Sequence, residues 1–205
     1  ITIVGDNPVT VELGSTYTDA GATATDASGT VSVITSGTVN TNVIGSYTLT
    51  YTSTDPSGNT ATATRTVNVI EDTTAPVITV VGDNPVTVEL GSTYTDPGAT
   101  ATDSSGTVSV ITSGTIPNAD GTGDSTFTND GTGTVNFVAS RIGTYTLTYT
   151  STDASGNIAT ATRTIIIADT SAPAITIVGD NPVTVELGST YTDPGATVTD
   201  SSGTV

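Results

Sequence analysis

Tyr47, Leu49 and Tyr51 alternate along the chain with Thr48, Thr50 and Thr52. This is the period-two pattern of a strand with one buried and one solvated face. Val9, Val11 and Leu13 alternate with Thr10 and Glu12 in the same way, and turn-forming clusters punctuate the runs at Gly5-Asp6-Asn7-Pro8, Asp26-Ala27-Ser28-Gly29 and Asp55-Pro56-Ser57-Gly58-Asn59. The pattern predicts about seven short strands in the first stretch of chain, at 1–4, 9–13, 22–26, 30–36, 38–40, 46–54 and 60–70. No segment carries a helical period. Thr, Gly, Val, Ser and Ala dominate, which suits strands. Short, evenly spaced strands with polar turns point to an all-β fold of antiparallel β-sandwiches of immunoglobulin type.

The pattern is repeated. ITIVGDNPVTVELGSTYTDAGATATD at Ile1 returns as ITVVGDNPVTVELGSTYTDPGATATD at Ile78 and ITIVGDNPVTVELGSTYTDPGATVTD at Ile175, and SYTLTYTSTDPSGNTATATRT from Ser46 returns as TYTLTYTSTDASGNIATATRT from Thr144. Repetition at this length sets the architecture before any short motif does. The expected organisation is a first immunoglobulin-like repeat at 1–72, a second at 73–169 with an inserted hairpin at about 116–142, and the N-terminal part of a third at 170–205, incomplete as it stands. Glu71-Asp72-Thr73-Thr74-Ala75-Pro76 and Asp169-Thr170-Ser171-Ala172-Pro173 join the repeats as short, stiff connectors, so the expected arrangement is a rod of sandwiches. In the insertion, Ile116–Ser140, the Gly/Asp-rich first part reads as a loop. Thr126-Phe127-Thr128 and Val135-Asn136-Phe137-Val138 read as the two strands of the added hairpin, turning at Asn129–Gly133.

Composition then narrows the chemistry. The 205 residues include 16 Asp, 4 Glu and 3 Arg, with no Lys, His, Cys, Met, Trp or Gln, for a net charge of −17. Such a charge excludes an electrostatic grip on nucleic acid or an anionic membrane surface. Without Cys or His there is no thiol or imidazole nucleophile, no general base poised near neutrality and no ordinary zinc site. Disulfides, Lys isopeptides and Thr–Gln esters are all out of reach. No apolar run is long enough to cross a membrane as a helix. The chain opens at Ile1 inside a strand pattern and reads as a window on something longer, so the lack of a visible leader or anchor excludes little. A carboxylate pair in an aromatic-lined cleft would be the one available catalytic device, and nothing in the pattern builds such a cleft, so no enzymatic activity is expected.

The segments GDNPVTVELGSTYTDPGATATD, YTLTYTSTDASGN, ATATRT and DTTAPVIT resemble the bacterial surface immunoglobulin-like repeat family, related to hyalin-type repeats. The resemblance covers all but about 116–142. It implies a β-sandwich module of large surface proteins and adhesins, commonly a spacer. Many relatives carry an Asp-Gly-Asp stretch after the GATATD strand, where this sequence has Ala27-Ser28-Gly29 and Ser104-Ser105-Gly106.

In an immunoglobulin-like chain path, the hairpins after strands 22–26 and 46–54 meet at the end where the incoming linker arrives. In the second repeat this gathers Asp72, Asp103, Asp153 and Asn157, an oxygen-rich set that suits Ca²⁺. The first repeat offers Asp26, Asp55 and Asn59, and the third Asp169 and Asp200. The competing reading makes each Asp-x-Ser-Gly an ordinary turn in which the carboxylate caps backbone N–H groups. Phe127 and Phe137, the only Phe residues, mark the insertion as a contact surface for a ligand or neighbouring chain, against the plainer reading of a tolerated surface insertion. Arg65 and Arg163 fall on the inner face of their strands and demand either a bulge or a carboxylate partner: Glu12 or Asp19, and Glu89 or Asp96. The leading expectation is an extracellular structural repeat of a surface fibre, filament or adhesin stalk. Its partners would be copies of itself or neighbouring repeats of the same long chain. The alternatives are a glycan-binding adhesin module using 116–142 and an accessory module of a secreted hydrolase.

Overall fold

A computed structural model describes residues 1–27, 29–129 and 135–200. The strands in chain order are β1 (Thr2–Ile3), β2 (Val9–Glu12), β3 (Ala22–Asp26), β4 (Gly29–Val31), β5 (Ile34–Ser36), β6 (Gly45–Thr54), β7 (Thr60–Ile70), β8 (Val77–Val80) and β9 (Val86–Glu89). They continue with β10 (Thr93–Thr95), β11 (Ala99–Thr102), β12 (Ser109–Pro117), β13 (Asp124–Asn129), β14 (Asn136–Val138), β15 (Gly143–Thr152), β16 (Ile158–Ala168), β17 (Ala174–Ile177) and β18 (Ala196–Thr199). No helix occurs among the described residues. The fold is all-β.

Two compact units emerge. The first comprises Ile1–Val77 with Ala101–Ser109 and Ser151–Ala159, so the turns that carry Asp103 and Asp153 belong to it together with Asp72. Its four-stranded sheet runs β2-β7-β6-β5, beside a three-stranded sheet β1-β3-β4. The long ladder of β6 on β7 is antiparallel and continuous from Gly45↔Val69 to Thr54↔Thr60, and β2 joins β7 in parallel, Val9 opposite Val67. The alternation seen in the sequence places Leu49, Tyr51, Val67 and Val69 inside, with Thr50 and Asn68 between them on the opposite face. Asn7 supplements the β2–β7 ladder: its side-chain amide donates to the Thr64 carbonyl at 2.9 Å and accepts from the Thr66 amide at 3.0 Å.

The second unit holds a five-stranded sheet β13-β12-β15-β16-β9 and the pairs β10-β14 and β17-β18. Its core is Val88, Phe137, Ala139, Tyr145, Leu147, Tyr149, Ile165 and Ile167. Asn84 repeats the role of Asn7, bonding the Thr162 carbonyl and Thr164 amide at 2.7 and 2.9 Å.

Here the insertion departs from the sequence expectation. Phe127 and Phe137 are not the two arms of one hairpin. β13, with Phe127, pairs with β12, Phe127 opposite Gly114; β14, with Phe137, pairs with β10, Phe137 opposite Tyr94. The Gly/Asp-rich stretch is the actual hairpin turn: the Asn118 amide donates to the Gly123 carbonyl at 2.8 Å, and Asp120 accepts from the Thr122 amide and hydroxyl at 3.0 and 2.8 Å. The expected turn at Asn129–Gly133 falls largely on 130–134, outside the described residues. Phe137 is buried, its ring tilted against Tyr94 at 5.6 Å, and Phe127 is half-buried against the same core. Phe137 is part of the core and Phe127 packs on it.

Both inward-facing arginines keep their register without a bulge and meet an Asp. Arg65 lies 2.9 Å from Asp19, and Arg163 lies 2.9 Å from Asp96. Glu12 and Glu89, the other acids considered, serve the linkers instead. Glu12 accepts from the hydroxyls of Thr73 and Thr74 at 2.6 and 2.5 Å, and Glu89 accepts from the hydroxyl of Thr170. Between Ala174 and Thr199, β17 and β18 pair only with each other and every side chain is exposed.

Candidate metal centre

Asp72 lies two residues beyond the end of β7, Asp103 just past β11, and Asp153 just past β15. Local chemistry fixes each one. Asp153 opens an Asp-x-Ser-Gly-Asn turn whose Gly156 sits at φ +92°, a conformation that favours glycine. Its Oδ1 accepts from the amides of Ser155 (2.9 Å) and Asn157 (2.8 Å). Asp103 Oδ1 accepts from the Ser105 amide at 2.7 Å, and Asp72 Oδ1 from the Thr74 amide at 3.0 Å. The turn reading of these acids is therefore physically realised, and so is their convergence. One carboxylate oxygen from each of Asp72, Asp103 and Asp153 lies within 4.8 Å of the others. The two readings do not compete at Asp72 and Asp103, whose turn bonds use Oδ1 and leave the second oxygen out.

That second oxygen is the telling feature at Asp72. The side chain is 4 % exposed, and its Oδ2 is buried with no hydrogen-bond partner. A buried anionic oxygen without a donor is costly, and a native fold rarely leaves one. Asn157 does not relieve it: its amide nitrogen donates to the Asp72 carbonyl (3.0 Å) and to Asp153 Oδ2 (2.8 Å). Burial pushes the Asp153 carboxyl up, but hydrogen bonds from the side chain and backbone of Asn157 and from the amides of Ser155 and Gly156 outweigh it and hold the group below the usual carboxylate range. The sequence has no Lys or His, and its three arginines are engaged elsewhere, Arg65 with Asp19, Arg141 with Asp124 and Arg163 with Asp96. No side-chain cation is left to balance the triad. Converging carboxylates, neighbouring carbonyls and an orphaned buried oxygen fit a hard divalent cation such as Ca²⁺, which takes six to eight oxygen ligands.

The other candidates are placed differently. Asp26, Asp55 and Asn59 line one pocket of about 170 Å³. Asp55 caps its own turn there, accepting from the Asn59 amide at 2.8 Å and side chain at 2.7 Å. Asp169 is exposed and Asp200 half-buried, and among the described residues neither joins a group of three acids. The pattern of residues left two features unread. Tyr51 and Tyr149 complete the buried Arg–Asp pairs, Tyr51 donating to Asp19 at 2.7 Å and Tyr149 to Asp96 at 2.9 Å. The readable signal was their position: each is an inner-face Tyr on the strand beside its Arg. The other is the Glu–Thr fastening of the linkers.

Near-identical all-β repeats with acids gathered at their turns define a tandem β-sandwich module. Residues 1–69, 78–124 and 117–167 match the family described as bacterial surface protein, Ig-like domain, and the chain belongs to that family. It is also similar to hyalin of Lytechinus variegatus, 40 % identical over 185 residues that cover 85 % of this chain and 32 % of hyalin. Hyalin of Strongylocentrotus purpuratus is 36 % identical over 232 residues, covering 98 % of this chain and 17 % of that protein. The chain thus spans a third or less of these relatives. Among solved structures, the fibronectin(III)-like modules of Clostridium thermocellum CbhA align with 80 % of this chain and 90 % of that one, at 14 % identity and a TM-score of 0.36. A likeness that low carries no argument.

Proposed function

We propose that this chain is a structural segment of an extended extracellular surface fibre, filament or adhesin stalk, and that Ca²⁺ at Asp72, Asp103 and Asp153 stiffens it. The observation that carries the proposal is the fastening of the linkers. After each of the first two repeats, the chain leaves its last strand and is caught at once by the same carboxylate, Glu12 on Thr73 and Thr74, Glu89 on Thr170. A connector meant to flex has no need of such bonds, whereas a spacer that transmits length does. The first linker also delivers Asp72 to the acidic triad, so a cation there ties the linker to two turns at once. When bound, the ion supplies positive charge and oxygen coordination. Asp72 brings the buried carboxylate, Asp103 and Asp153 bring carboxylates already oriented by their turns, and Asn157 holds the linker backbone in place.

The test is thermal unfolding and small-angle scattering with Ca²⁺ and with chelator. Ligand at about 100 times its dissociation constant stabilises by about 2.7 kcal/mol, roughly 10–20 °C for a domain of this size. Asp103→Asn and Asp153→Asn should abolish the shift, and Asp120→Asn, a loop-capping control, should keep it. Superimposable melts and an unchanged maximum dimension in both conditions would sink the cation. A compact scattering profile in calcium would sink the fibre.

A further inference from the structure

The first and second repeats contain the same five residues at one sheet edge, Ile34-Thr35-Ser36-Gly37-Thr38 and Ile111-Thr112-Ser113-Gly114-Thr115. Their surroundings match as well. A Cβ on Gly37 would meet the Thr48 carbonyl oxygen at 2.5 Å and Leu49 at 3.4 Å; one on Gly114 would meet the Thr146 carbonyl oxygen at 2.6 Å and Leu147 at 3.2 Å. In the second repeat this edge is covered. β13 lies antiparallel on it, with Asn129, Thr128 and Phe127 opposite Thr112, Ser113 and Gly114, and Phe127 packs against the core that includes Leu147. In the first repeat β5 ends its sheet, all three of its residues are exposed, and Ile34 is 70 % exposed. Beside it lies a groove of about 250 Å³ whose lining includes Tyr17, Asp19, Thr35, Gly37, Val39 and Leu49. Gly37 and Leu49 are the counterparts of Gly114, which Phe127 faces, and of Leu147, a member of the core on which it packs.

We propose that the β5 edge and this groove form a β-augmentation site. It accepts in trans an extended, hydroxyl-rich strand of the β13 kind, Asp-Ser-Thr-Phe-Thr-Asn, whose aromatic side chain enters the groove opposite Gly37. Main-chain bonds to Ile34–Ser36 supply affinity and the aromatic supplies specificity, as in strand addition generally. The acceptor is short because Gly37, at φ +101°, turns the chain out of the strand, so the aromatic anchor must carry much of the binding.

The experiment titrates the synthetic peptide Thr122–Asn129 into the isotope-labelled full chain and follows amide resonances. Shifts confined to Ile34–Thr38 and Leu49 are expected. Phe127→Ala in the peptide should weaken binding by about tenfold or more. So should Ile34→Lys in the chain, a change at an exposed position that leaves the core untouched and charges the edge. No shift at millimolar peptide, equal binding by the Phe127→Ala peptide, or shifts confined to β12 and β13 through exchange with the resident strand would each overturn the proposal.

Discussion

Removing Asp96 should unfold far more than a surface aspartate would. Arg163 and Asp96 have side chains only 1 % and 2 % exposed. The guanidinium Nε contacts the Tyr149 hydroxyl at 2.9 Å, and its two Nη atoms donate to the carbonyls of Asp83 and Val81. In Asp96→Ala those carbonyl bonds survive, but the charge has no counterion and Tyr149 loses its acceptor. Breaking one side of a buried pair costs about 3–5 kcal/mol, mostly the penalty for the ion left behind. The first repeat provides an internal scale. Arg65 is 2 % exposed but Asp19 is 22 % exposed, so water can partly replace the lost carboxylate, and Asp19→Ala should cost about 2 kcal/mol. The difference is measurable by urea unfolding, with hydrogen exchange on β6–β7 and β15–β16 assigning each loss to its own unit. Adding Arg163→Met to Asp96→Ala should recover stability, since the uncompensated charge leaves with it. An Asp96→Ala variant within 1 kcal/mol of the parent would refute the reasoning, as would a double variant weaker than the single.

Two pH dependences follow from the same contacts. Burial first, then the hydrogen bond and charge of Asp19, push the Tyr51 hydroxyl up to about 12; burial, reinforced by Asp96 and opposed by the Arg163 hydrogen bond, does the same for Tyr149. Their folded-state values lie above the ordinary 10, so the stability they contribute is complete below pH 10 and lost as pH rises through 12. Absorbance at about 295 nm should show at least two of the seven tyrosines ionising late and together with unfolding, and a single common step near pH 10 would contradict it. At the acid end, the Thr170 hydroxyl bond holds the Glu89 carboxyl at about 2 instead of the ordinary 4.5. Its contribution is present above pH 4.5 and lost as pH falls through 2, and carboxyl NMR should show the Glu89 pKa rising toward the ordinary range in Thr170→Val.

Much of this was legible in the sequence because each level pointed the same way. The strand expected at 60–70 is β7, and that at 46–54 is β6 with one further residue. The inward arginines could be assigned partners because register placed them inside and few acids lay within reach. What stayed hidden depended on partners that letters do not show. Val183-Thr184-Val185-Glu186 repeats the letters of β2 and β9 yet forms no strand. β2 and β9 exist because each lies in parallel on a long neighbour, β7 or β16, and residues 187–200 provide none. The same holds for β10: Thr93–Thr95 is a strand opposite β14, while Thr16–Thr18, the same three letters, has no such partner and is irregular.

The insertion misled for a related reason, and the repeats themselves contain the correction. Alternation alone cannot say which of two apolar-polar runs is new, because Thr-Phe-Thr and Asn-Phe-Val have the same period. Aligning the repeats from both ends can. Ile34–Thr38 fixes Ile111–Thr115 from one side, and Ile44-Gly45 fixes Ile142-Gly143 from the other. Counting back then sets Phe137 on Val39, a half-buried position already present in the shorter repeat, so β14 belongs to the common frame. The residues left over run from about 116 to 136, and those of them up to Asn129 prolong β12, turn at Asn118–Gly123 and return as β13. An addition of this kind disturbs little: it grows outward from a sheet edge whose donors and acceptors were open, and satisfies them as it forms. The same economy explains why one repeat can keep the edge bare while its neighbour covers it, without any change in the five residues of the edge itself.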